Sequence, residues 1–125
     1  MKKVAVLLAD GFEEIEALTV VDLLRRAKVY VDTVSITDDY TVRGAHGIPV
    51  QTEDLITEID FKESDMIVLP GGMPGTTNLK EDENVRKAVQ EAYDDGSSNL
   101  CGTDNSRRYG TFKRKESDLL SRHGK

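Results

Sequence analysis

The sequence predicts an α/β fold in which helices cover both faces of an open, largely parallel sheet. Two short apolar runs, Val4 to Ala9 and Met66 to Leu69, suit strands buried on both sides. Each stops abruptly, at Asp10-Gly11 in the first case and at Pro70-Gly71-Gly72-Met73-Pro74-Gly75 in the second. Segments of helical spacing lie between such strands, which is the pattern of a parallel sheet with crossover helices. Ligands in these folds bind at the carboxyl ends of the strands, where both loops lie.

The elements follow in order. Lys3 to Ala9 reads as the first strand and Asp10-Gly11 as a turn. From Phe12 to Ala27, the residues Ile15, Leu18, Val21, Leu24 and Ala27 recur at three- to four-residue spacing and describe an amphipathic helix. Val29 to Ile36 alternates as a second strand. Tyr40 to Arg43 and Ile48 to Thr52 flank Gly44-Ala45-His46-Gly47 and form a hairpin. Leu55 to Ile59 is expected as a short helix and Ser64 to Leu69 as the central strand. Glu81 to Tyr93 places Val85, Ala88, Val89 and Ala92 on one face, with Gly96 positioned to end the helix.

At 125 residues the chain suits one domain with a single core. A net charge of −6 argues against general affinity for nucleic acid or for an anionic membrane surface. No apolar stretch approaches the length of a transmembrane helix, and the run after Lys2-Lys3 is too short for a signal peptide. One cysteine excludes an internal disulfide framework and fits a reducing, cytoplasmic compartment. There is no G-x-G-x-x-G or Walker pattern, which sets a phosphate-binding reading low.

The loop after Leu69 carries the clearest chemistry. Gly71 and Gly72 lack Cβ, so the chain turns sharply there and a substrate oxygen can approach the backbone N–H groups, as in an oxyanion hole. The alternative is a tight strand-to-helix connection without chemistry.

Ala9-Asp10-Gly11-Phe12-Glu13-Glu14-Ile15-Glu16, followed by Leu69-Pro70-Gly71-Gly72-Met73-Pro74-Gly75, closely resembles the ThiJ/PfpI superfamily in its DJ-one (parkinsonism-associated protein deglycase) branch, over residues 1–96. The resemblance implies a flavodoxin-like three-layer sandwich with a reactive cysteine on a strand-to-helix elbow. It assigns Glu16 as the acid/base partner of that cysteine, and Gly71 and Gly72 as oxyanion donors. A partly buried carboxyl that stays protonated could donate to the sulfur and shuttle a proton. The other reading of Glu16 is a solvated helix residue beside Glu13 and Glu14.

After Gly96 the pattern fails. Residues 1–96 hold 10 basic and 20 acidic residues, a net of −10, whereas 97–125 hold 7 and 3, a net of +4. The latter segment has no period of 2 or 3.6 and reads as a disordered tail outside the family, leaving the domain C-terminally truncated. The family cysteine belongs in a segment like Ile-Cys-Ala-Ala-Pro, but Cys101 stands in Asn99-Leu100-Cys101-Gly102-Thr103-Asp104. Shifting the reading frame by one nucleotide lets Ser97 to Asp104 encode Ala-Val-Ile-Cys-Ala-Ala-Pro, and the codons through Gly124 then permit a typical family continuation. The tail is therefore expected to be a translated wrong frame, with a small out-of-frame deletion near Gly96.

By resemblance, an intact relative would use its thiolate against a reactive carbonyl such as methylglyoxal, or against glycated protein side chains, without metal, nucleotide or other cofactor. That is glyoxalase or deglycase chemistry. Oxidative-stress sensor, chaperone and peptidase are further family readings. The competing reading is a non-catalytic fragment, because Cys101 is misplaced and the chain as written is expected to be inactive. His123 is no substitute for the family's later histidine, and His46 reads as an ordinary hairpin-loop residue. The resemblance also implies a homodimer, formed partly through the first helix and the Tyr40 to Thr52 hairpin.

Overall fold

The sheet is built around β1 (Lys3–Leu8), whose last five residues are buried. The remaining elements in chain order are α1 (Glu14–Arg26), β2 (Tyr30–Ser35), β3 (Thr41–Arg43), β4 (Pro49–Gln51), β5 (Asp54–Leu55), a 3₁₀ turn at Phe61–Glu63, β6 (Met66–Leu69), α2 (Gly75–Glu81), α3 (Glu83–Asp95) and β7 (Asn99–Gly102). The computed structural model describes residues 2–95 and 99–102, with side chains to residue 92. Among the described residues, five strands form one parallel sheet in the order β5-β2-β1-β6-β7. β3 and β4 make a separate antiparallel hairpin.

Side chains of successive strand residues point to opposite faces, and this divides the core in two. Val4, Val6 and Leu8 pack with Phe12, Ala17, Val21 and Val42 beneath α1 and the hairpin. Ala5, Leu7 and Ala9 pack with Ile67, Leu69, Leu79, Val85, Ala88 and Val89 beneath α2 and α3. The result is the three-layer, flavodoxin-like α/β sandwich expected from the sequence.

Several elements differ from expectation. The buried row of α1 is Glu14, Ala17 and Val21, with Val20 and Leu24 half-buried, whereas Ile15 is 74% and Leu18 37% exposed. The two possible rows share Val21 and Leu24, so periodicity defines the helix without choosing its buried edge. Leu55 to Ile59 is not a short helix. Asp54 and Leu55 pair with Val34 and Ser35, and the Ile56 N–H donates to the Ser35 carbonyl at 2.8 Å. The helix expected over Glu81 to Tyr93 is α3, which starts at Glu83, where the Asp82 carboxylate caps it by accepting the Val85 N–H at 3.0 Å, and a further helix, α2, precedes it. Gly75, Thr76, Thr77 and Asn78 are weak helix formers, which hides α2 in the sequence.

The sequence reads as a disordered tail from residue 97, and this is corrected for residues 99–102, which form a strand at the edge of the described sheet. β7 pairs in parallel with β6, Val68 opposite Cys101 and Leu69 opposite Gly102. A ladder is made by backbone groups, and β6 without a neighbour would present an unpaired row of them. The expected disorder of the tail beyond Gly102, the place of His123 and the helix-ending role of Gly96 lie outside the described residues. Among the described residues, no helix is long and apolar enough to cross a membrane.

The two core faces give a direct test. Leu7→Ala should cost about 2–5 kcal/mol in denaturant unfolding, and Leu23→Ala, on the exposed side of α1, should stay within about 0.5 kcal/mol.

Candidate functional site

The carboxyl ends of β1 and β6 set two loops side by side. The Gly75 N–H donates to the Gly11 carbonyl at 3.1 Å, the Glu13 N–H to the Gly71 carbonyl at 2.9 Å, and Asn78 Nδ2 to the Asp10 carbonyl at 2.7 Å. This approach needs glycine. Gly11 and Gly72 have φ of +91° and +104°, and a Cβ on Gly72 would overlap the backbone of Glu13. The hairpin is strapped to the same place: the Gly11 N–H donates to the Arg43 carbonyl at 2.8 Å, and the Arg43 N–H to Asp10 Oδ1 at 3.1 Å.

Glu16, in the first turn of α1, meets the glycine loop directly. Its Oε1 accepts the Gly71 N–H at 3.1 Å. The structure thus brings together two of the residues singled out in the sequence, and the donor assigned to an oxyanion holds a carboxylate here. Gly72 provides the left-handed turn beside it. The backbone of Cys101 lies inside β7 opposite Val68. Its side chain lies outside the described residues.

Sequence reasoning missed Glu14. It is 5% exposed, and its Oε2 accepts the N–H groups of His46 at 2.9 Å and Ile48 at 3.3 Å, while Oε1 lies 2.8 Å from His46 Nδ1. Burial by itself would raise the Glu14 pKa, but hydrogen bonds from the His46 ring and from the N–H groups of Glu14, His46 and Ile48 outweigh it and hold the value at about 2. The same hydrogen bond, with the charges of Glu13 and Glu14, raises the His46 pKa above its ordinary 6.5. Gly44 lies against this carboxylate, where any Cβ would overlap it. His46 is therefore a hairpin-loop residue, as read from the sequence, but one tied to a buried acid. The signal was present in the spacing, since Glu14 stands three residues before Ala17 and seven before Val21, on the buried row.

An open cleft of about 480 Å³ adjoins these loops, walled by Asp10, Gly11, Arg43, Gly44 and Pro74 among others. It lies at the strand ends, the place such sheets reserve for ligands.

The sequence pattern of the DJ-1/PfpI family matches residues 2–100. The chain belongs to the DJ-1/PfpI family. Protein DJ-1 homolog B of Arabidopsis thaliana is 36% identical over 100 residues, which is 80% of this chain and 23% of that protein. Among solved structures, oxidized Toxoplasma gondii DJ-1 superposes with a TM-score of 0.77 at 31% identity, covering 82% of this chain and 55% of the other. A cysteine-to-alanine mutant of a DJ-1 superfamily protein from Salmonella typhimurium gives 0.79 at 34% identity, covering 99% and 62%. The DJ-1/PfpI match extends four residues beyond Gly96, into β7. The chain spans only part of its relatives, from about a quarter to about half of the curated ones.

The Glu14–His46 pair should make stability depend on pH in both directions. The lowered glutamate pKa contributes stability that is full above its ordinary 4.5 and lost as pH falls toward 2. The raised histidine pKa contributes stability that is full below 6.5 and lost as pH rises through the shifted value. Thermal unfolding across pH in chelator-treated buffer should show the pair strongest between about 4.5 and 6.5. His46→Ala should remove the alkaline limb.

Proposed function

We propose that the intact lineage of this chain is a cofactor-free, cysteine-dependent glyoxalase or deglycase acting on reactive carbonyls such as methylglyoxal, and that the chain as written has negligible turnover. The contact between the Glu16 carboxylate and the Gly71 N–H carries the reading. It sets the Glu16 carboxylate, which the reading makes the acid/base group, against a glycine turn at the carboxyl end of the sheet. In the reaction, the thiolate adds to the carbonyl carbon and the π electron pair moves to oxygen. The backbone N–H groups around Gly71 and Gly72 receive that oxyanion once Glu16 turns toward the sulfur, and Glu16 then carries the proton.

The placement of Cys101 supports the loss of turnover. Covalent catalysis requires the nucleophile within reach of both partners, and misplacement by about an ångström can cost a hundredfold. Cys101 lies level with Val68 in the ladder, short of the end of β6 and three residues before Gly71. Residues 97–125 are best explained as the wrong reading frame of a family gene, so the nucleophile elbow is encoded but not translated. The coding DNA beyond codon 96 tests this: a shifted frame without Ile-Cys-Ala-Ala-Pro would end the idea. A cytoplasmic place suits the single cysteine.

Methylglyoxal consumption by the purified chain should not exceed that of a Cys101→Ser control. Restoring the frame should recover activity, and Glu16→Ala in the restored protein should then remove most of it. Turnover by the unrestored chain that vanishes in Cys101→Ser would overturn the proposal. The restored protein should sediment as a homodimer through α1 and the hairpin, where Ile15, Leu18, Tyr40 and Ile48 are exposed. The chain as written should associate more weakly and less specifically.

A further inference from the structure

We propose that Glu13, Glu14 and His46 form a binding site for a divalent ion of the zinc class, at the junction of α1 and the hairpin tip. One donor atom from each of the three residues lies within 4.8 Å of the others. His46 Nδ1 stands 2.8 Å from Glu14 Oε1 and 3.7 Å from Glu13 Oε2. Donors placed tetrahedrally around an ion at about 2.1 Å are about 3.4 Å apart, so the observed separations bracket the required one. Binding displaces the proton that Nδ1 shares with Glu14 Oε1 to solvent or to Nε2, and a rotation of the exposed His46 ring supplies the difference.

The donor set selects the ion. An imidazole with two carboxylates suits zinc and its neighbours, whereas magnesium and calcium favour oxygen-only surroundings. The buried carboxylate is already oriented for this task. Glu14 Oε2 is engaged by the N–H groups of His46 and Ile48, which leaves Oε1 facing the ring nitrogen. Such outer hydrogen bonds orient a ligand and raise its affinity. Gly44 lies against the same carboxylate, where only a residue without Cβ leaves room for it. Glu13 is about a quarter exposed and His46 about two-thirds, so an ion can enter from solvent and water can complete its coordination. An ion here would cross-link the β1–α1 loop to the hairpin through side chains, in a place already joined by backbone hydrogen bonds.

The site differs from the Glu16–Gly71 contact in residues and is tested without an activity assay. Chelator-treated chain carrying Cys101→Ser, which removes the sole thiol, would be titrated with zinc chloride by calorimetry. Cobalt(II) absorption would report the ligand geometry. One ion per chain is expected, with affinity reduced at least tenfold in Glu13→Gln and again in His46→Ala, each checked for native far-UV dichroism. Glu13→Gln preserves size and leaves the Glu14 hydrogen bonds in place, so its folding is not at stake. Failure to saturate with zinc, or binding that survives either substitution, would overturn the proposal.

Discussion

The close contact between the loops after β1 and β6 is the constraint from which the site follows. Both strands end in glycine-containing turns, and the hydrogen bonds from Gly75 to Gly11 and from Glu13 to Gly71 leave no room between them for a side chain. α1 begins immediately after this contact, so its first turn is aimed at the glycine loop. The meeting of Glu16 with Gly71, two positions 55 residues apart, is a consequence of that entry angle. The hairpin is held by the same junction through Gly11 and Arg43.

A second constraint is the burial of Glu14. A carboxylate on the buried row of a helix would be costly without partners, since desolvation penalises its charged form. Here two backbone N–H groups and one imidazole from the tip of the hairpin meet it, beside its own N–H. The acid thereby orders a loop that its own short ladder, three residues on each side, would hold weakly. Phe12 adds an apolar part of the same joint, packing with Val42 of the hairpin and Val6 of the sheet. Helix, hairpin and sheet therefore meet through this charged contact and this apolar one, beside the backbone hydrogen bonds that join the hairpin to the β1–α1 loop.

Much of this was legible in the sequence. The apolar runs marked β1 and β6, the glycine positions marked the loops, and the resemblance assigned Glu16 and Gly71 to one site without giving their direct contact. What escaped shares one physical reason: it depends on partners distant in the chain. β5 exists because the end of β2 offers it a ladder, although Asp54-Leu55 has little strand character of its own. The buried edge of α1 is chosen by the sheet beneath it. Glu14 and His46, 32 residues apart, acquire their shifted protonation only when the hairpin closes over the helix.

β7 shows the limit of what a backbone ladder can carry. Parallel pairing with β6 asks only for extended backbone, and Asn99-Leu100-Cys101-Gly102 supplies it without the β-branched residues of a buried strand. A nucleophile asks for more. In the proposed reaction its sulfur would stand beyond the strand end, on a turn of small residues, within reach of the Gly71 N–H. Pairing sets the register to within one residue, whereas reactivity depends on position to within an ångström. A chain can therefore retain family topology through β7 while the residues after it decide whether the site works.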